Sequence, residues 1–285
     1  MDPFLDAAAS WATVLGTTLA LFGVVQSRAW LLAVGALLSL ISIGALVYAR
    51  RQRAIVESAS LSVLGRSLDS LNAARLRHRL NRSLVMQRVE NISTVDDEDL
   101  TVEWTCTGYC KAARETMIEF SVDADVNIPF GDLECLAFDL HHDPDRLHGI
   151  RPMLVGPDGI SKRIAVPLLA PLAAEEPFNV FLRCRLLRCL TAGVDYATAT
   201  ISFAQDRVPQ YAVRLRFLNG APEWVRTYEC RGLGGTRLLK DLRPVRLDGG
   251  VTEYADVDNN VPAESARVYV FYRPRKIDSC GTLAA

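Results

Sequence analysis

Two apolar runs placed back to back near the N-terminus constrain this chain more than any other feature. Ala7–Val25 and Trp30–Ala49 contain no charged residue, and only Gln26, Ser27, Arg28 and Ala29 separate them. Each is close to the ~20 residues a helix needs to cross ~30 Å of hydrocarbon, so the pair predicts a two-helix transmembrane hairpin. Arg50, Arg51 and Arg53 follow the second run, whereas only Asp2 and Asp6 carry charge before the first. Basic residues collect on cytoplasmic flanks, so the expectation is a two-pass inner (plasma) membrane protein with both termini cytoplasmic. Trp11, Trp30 and Tyr48 lie near the run ends, where amphipathic rings favour the interface. A secretory signal peptide is not expected, because no basic n-region precedes an apolar run of this length.

Small residues repeat at matched spacing in both runs: Gly16, Ala20 and Gly23 in the first, Gly35, Ser39 and Ser42 in the second. Such stripes let helix backbones approach closely. They are read either as an oligomerisation face or as the contact between the two helices of one hairpin. Beyond the runs, residues 51–82 read as an Arg-rich helical connector. Leu61, Leu64, Leu68 and Leu71 recur at spacings of three and four, as in a short coiled-coil seam or a docking stripe. Nine arginines between Arg50 and Glu90 face only Glu57, Asp69 and Glu90, so the formal net charge of −1 hides a basic connector and an acidic C-terminal part. Arg75, Arg77, Arg79 and Arg82, with Arg50, Arg51 and Arg53, form a membrane-proximal basic group suited to acidic lipid or phosphate. Solvated arginine is the plainer reading, and no specific nucleic acid is expected.

From Ser83 the hydrophobic period changes to two. Segments such as Tyr196–Phe203, Tyr211–Leu218 and Arg267–Arg273 alternate apolar and polar residues, as half-buried strands do. Further strands are expected over Leu84–Asn91, Leu100–Thr107, Thr116–Val122, Glu134–Leu140, Arg163–Pro167, Phe178–Leu186 and Trp224–Cys230. Turn signals at Pro157-Asp158-Gly159, Asn219-Gly220 and Asp248-Gly249-Gly250 divide them. Residues 83–275 therefore read as an all-β soluble domain, an immunoglobulin-like sandwich or a small barrel, with 276–285 as a tail.

Chemistry is less legible. Asp139, His141, His142, Asp143, Asp145 and His148 gather three of four histidines beside carboxylates, but adjacent histidines match no metal-ligand spacing. Cys106 with Cys110, and Cys184 with Cys189, offer four sulfurs for zinc or four small buried side chains; seven cysteines in a cytoplasmic domain predict free thiols. Arg231, Gly232, Gly234, Gly235, Arg237 and Lys240 are the best candidates for binding a small anion, although neither a P-loop nor a dinucleotide spacing is met. No catalytic motif appears, so the chain is read as non-enzymatic, with no metal or cofactor assigned.

The hairpin of Ala7–Ala49 followed by a strand-rich domain resembles the membrane effectors of bacterial cyclic-oligonucleotide antiphage systems. That resemblance implies antiviral defence, a β domain that binds a nucleotide signal, and spans that oligomerise in the bilayer. It carries no binding residue onto this chain. The leading expectation is a membrane-anchored sensor/effector for a small anionic ligand. Its alternative is a membrane-tethered immunoglobulin-like module recruiting a protein partner, and a third reading is an enzyme built on the Asp139–His148 loop.

Overall fold

The computed structural model describes residues 81–273 except 82, 113, 125, 157, 191–192, 202–206, 231–235 and 263–264; before them it describes 33–48 together with 18, 30, 50, 51, 54, 58 and 62. The chain divides into two compact units, Met1–Ser62 and Val63–Ala285.

In the first unit, residues 33–48 form a helix. The flanking Trp30, Arg50 and Arg51 are helical as well. Among the described residues no helix is long and apolar enough to cross a membrane. This corrects the expected transmembrane hairpin, and with it the two-pass inner-membrane placement and the cytoplasmic termini inferred from it. The first run, including Gly16, Ala20 and Gly23, lies outside the described residues apart from Thr18. On the described helix the small residues do share a face. Gly35 and Ser42 are buried and Ser39 is half-buried, while Leu37, Leu40, Ile41 and Val47 are exposed. The Ser42 hydroxyl donates to the Leu38 carbonyl, closing its polar group within the helix. Arg50 and Arg51 are helical and exposed; Arg53, Arg75, Arg77, Arg79, Arg82 and the leucines of the connector stripe lie outside the described residues.

Among the described residues the second unit contains fourteen strands. They are β1 (Leu84–Asp96), β2 (Asp99–Cys110), β3 (Glu115–Asp123), β4 (Glu134–Asp139), β5 (Met153–Leu154), β6 (Ser161–Leu172) and β7 (Pro177–Leu186), followed by β8 (Val194–Ile201), β9 (Arg207–Phe217), β10 (Trp224–Cys230), β11 (Thr236–Leu242), β12 (Pro244–Arg246), β13 (Thr252–Pro262) and β14 (Ser265–Tyr272). Ten coincide with the expected strands; β5, β11, β12 and β13 were not foreseen. The largest sheet has seven strands in the order β12-β13-β9-β1-β2-β7-β4, with β1 and β9 parallel and its other pairs antiparallel. Smaller sheets are β11-β10-β14-β8 and β3-β6-β5.

Alternation gives the large sheet two different faces. Val89, Val95, Val102, Trp104, Cys106, Val180, Leu182, Val213, Leu215 and Phe217 point one way and are buried. The four-stranded sheet covers this face where Phe217 meets Phe271 at 5.2 Å, edge to face. The three-stranded sheet covers it where Trp104 meets Phe120 at 6.2 Å. The domain is thus a sandwich of two layers rather than a barrel. The opposite face is a ladder of charge, with Arg214 3.7 Å from Glu90, Arg216 2.8 Å from Glu253 and Arg183 3.8 Å from Glu103. Each such exposed pair is worth about 0–1 kcal/mol, so the ladder serves solubility more than stability. A bulge between Met86 and Arg88 falls opposite Gly108, where a Cβ would strike the Val85 carbonyl oxygen. The expected turns at Gly220 and Gly249-Gly250 have φ of +97°, +77° and +79°, which glycine adopts without strain.

Candidate metal centre

Strand β4 is an edge of the seven-stranded sheet and ends on Asp139, whose side chain follows Cys135 and Ala137 onto the core face. Asp139 is 0% exposed. A buried carboxylate needs full hydrogen bonding, and this one has it. Its Oδ1 accepts from the backbone N–H groups of His141 (3.2 Å) and His142 (3.3 Å) in the turn after β4. Its Oδ2 accepts from the Leu169 N–H of β6 at 3.1 Å and lies 2.8 Å from His142 Nδ1. An ionised carboxylate can only accept, which puts a proton on Nδ1, so in the neutral ring Nε2 of His142 is the nitrogen with the lone pair.

That lone pair faces a carboxylate from the other side of the turn between β6 and β7. Glu176 immediately precedes β7, and β4 runs antiparallel to β7 with Asp139 opposite Val180, so the end of one strand meets the start of the next. The Ala173 N–H donates to Glu176 Oε2 at 2.6 Å, holding the side chain and leaving Oε1 toward the histidines. Glu176 Oε1 is 3.6 Å from His142 Nε2 and 3.6 Å from His141 Nε2. The two imidazoles pack edge to face, centroids 4.7 Å apart. One ligand atom from each of the three residues lies within 4.8 Å of the other two. Tetrahedral ligands on bonds of about 2.0–2.1 Å are separated by about 3.3 Å, close to the His–Glu distances here. The Ala173 N–H holds the Glu176 carboxyl below its ordinary pKa, keeping it available as an anionic ligand. The side chains are 31%, 24% and 28% exposed, so the cluster opens to solvent.

The rest of the loop supports this arrangement without joining it. Asp143 accepts from the N–H groups of Leu147 (3.1 Å) and His148 (2.6 Å), which lowers its pKa and closes the loop. His148 is 72% exposed and faces Asp143, and Asp145 is exposed. Adjacent histidines fail any linear ligand spacing because the third ligand comes from another hairpin. Glu176 was missed for the same reason; its only local signal is an acidic pair placed just before the alternating run that starts at Pro177.

The other expected sites come apart. Arg231, Gly232, Gly234 and Gly235 lie outside the described residues. Arg237 is 3.3 Å from Glu229, and Lys240 reaches the buried Asp256 at 2.5 Å, so both cations face internal carboxylates. The four-sulfur zinc set is not assembled. Cys184 lies opposite Cys135 on β4, while the Cys110 thiol donates to the Ala112 carbonyl. Burial pushes the Cys106 and Cys189 thiols up to about 12, the behaviour of core residues.

No family model matches the chain, and no curated protein matches it. Among solved structures it is similar to an M1 zinc metallopeptidase from Deinococcus radiodurans, at 13% identity and a TM-score of 0.41, covering 67% of this chain and 43% of that one. A point variant of that peptidase matches at 14% identity and 0.41, and the same variant bound to a Tyr-Ser-Ala substrate at 14% and 0.40. The chain therefore spans less than half the length of these structures, and likeness at this level carries no argument about activity.

Proposed function

We propose that the β domain is a binding domain whose ligand site is a divalent transition-metal centre on His141, His142 and Glu176, with zinc the ion that suits the donor set. The observation that carries this reading is the buried Asp139 carboxylate 2.8 Å from His142 Nδ1. Ligating histidines characteristically pass their second ring N–H to a carboxylate, which fixes the tautomer and strengthens the donor. Imidazole nitrogen and carboxylate oxygen are both ordinary zinc ligands. Three protein ligands leave the remaining coordination open, and it takes a small anion such as a carboxylate or phosphate. The ion's own charge then does what the sequence assigned to Arg237 and Lys240. Asp139 and Glu176 are both occupied in holding the site, which favours binding over catalysis.

The test uses the full-length chain, stripped with a chelator and reloaded with zinc. Metal content by mass spectrometry should be a single zinc per chain, lost in His142→Ala and in Glu176→Gln with the β fold retained by circular dichroism. Inorganic phosphate should bind only to the zinc-loaded protein. Equal zinc in all three proteins would remove the reading.

A second reading, recruitment of a protein through a sheet edge, draws on β11. This strand is an edge of the four-stranded sheet and Leu238 on it is 51% exposed, a surface to which an extended segment can add. Leu238→Lys should then abolish co-purification of a partner with the full-length chain; unchanged co-purification sinks this reading.

A further inference from the structure

We infer that Cys135 and Cys184 are a redox pair that closes a reversible disulfide across the edge of the seven-stranded sheet. The inference is independent of the metal centre. Strands β4 and β7 pair antiparallel with Cys135 directly opposite Cys184. Opposed residues in such a ladder have Cα atoms about 4.5–5.5 Å apart, inside the roughly 4.4–6.8 Å that a disulfide spans. Alternation turns both side chains to the core face, Cys135 with Ala137 and Cys184 with Leu182 and Leu186 flanking it. Their Sγ atoms lie 2.8 Å apart. A disulfide of about 2.05 Å requires the sulfurs to close by less than an ångström.

The two sulfurs differ in a way that orders the chemistry. Cys135 is half-buried on an edge strand, whereas Cys184 is 0% exposed. The hydrogen bond between the two sulfurs lowers the Cys135 pKa, while the same contact and burial raise that of Cys184. Cys135 is thus the thiol that meets a reagent and Cys184 the one that resolves. The co-reactant is a low-molecular-weight disulfide such as glutathione disulfide. The Cys135 thiolate attacks one of its sulfurs, forming a protein–glutathione bond and breaking the reagent's S–S bond with release of one glutathione thiolate. Cys184 gives its proton to that thiolate or to water and attacks the Cys135 sulfur, forming the protein disulfide and releasing the second glutathione. Two protein thiols are oxidised and one disulfide is reduced to two thiols. The other described cysteines, Cys106, Cys110, Cys189 and Cys230, are all buried.

The test incubates full-length protein with glutathione disulfide, alkylates the remaining thiols and maps peptides without reduction. Wild type should yield a Cys135–Cys184 linked peptide. Cys184→Ser should stop at a stable glutathione adduct on Cys135, and Cys135→Ser should leave Cys184 unreacted. The inference is overturned if Cys135→Ser loses as many thiols as wild type, or if wild type stops at the adduct as Cys184→Ser does. Should the buried Cys184→Ser variant lose its β signal in circular dichroism, wild type and the half-buried Cys135→Ser decide the question alone.

Discussion

Asp139 and Asp256 occupy the same face of the same sheet, one near each edge, and both are fully buried. Their partners differ in kind. Asp256 on β13 meets Lys240 of β11 at 2.5 Å, accepts from the Tyr269 hydroxyl of β14 at 3.0 Å, and lies 4.0 Å from Arg267. All three come from the facing sheet, so this carboxylate ties the two layers together. Asp139 instead collects backbone N–H groups and one imidazole, and that imidazole presents its far nitrogen outward. A buried carboxylate answered by cations is a lock between layers. Answered by neutral donors and a histidine, it is the support of a site open to solvent.

The comparison breaks most visibly at the lock. Asp256→Ala removes the anion shared by Lys240, the Tyr269 hydroxyl and Arg267, which keeps Asp258 at 3.0 Å, and should cost about 3 kcal/mol in denaturant unfolding, with zinc content unchanged. At the support the order reverses. Asp139→Asn keeps the shape but weakens the hold on His142, and zinc affinity measured by competition with a chelator should fall about 10–100-fold. Fold stability should change less than in the Asp256 variant, because the neutral amide still accepts some of the backbone donors. The smallest effect is one of pH. The Glu176 carboxyl titrates below its ordinary 4.5 because the Ala173 N–H donates to it. A depressed folded value means its stabilising contribution is complete above 4.5 and is lost as pH falls through the lower folded value. Carboxyl NMR titration should place Glu176 below 4.5, and an ordinary or raised value would count against its being held as an anion.

Strands with apolar inward residues were legible in the sequence. In β7, inward Phe178, Val180, Leu182, Cys184 and Leu186 alternate with outward Asn179, Arg183 and Arg185, and the period is plain. In β13 the inward residues include Thr252, Tyr254 and Asp256 while Val257 faces out at 64% exposure, so the pattern is inverted. Asp256 is buried there because β14 and β11 supply its partners, which no local window reveals. The transmembrane hairpin failed differently. Span length and charge flanks are local quantities, yet among the described residues no helix is long and apolar enough to cross a membrane.

For the site, the sequence showed His141 and His142 beside Asp139 but ranked metal or enzyme chemistry there last, because adjacent histidines match no ligand spacing. Their meaning depends on Glu176, and that meeting depends on strand order. By itself the sequence determined the β period, the glycine turns at Gly220 and Gly249, and the identity of most strands, because alternation and turn conformation are properties of neighbouring residues. Tertiary structure decided that β4 lies beside β7, that Cys135 opposes Cys184, and that Asp139 stands behind His142. Pairing between distant strands is fixed by the packing of whole faces, and hydrogen-bonded registers of that kind leave no mark within either strand alone.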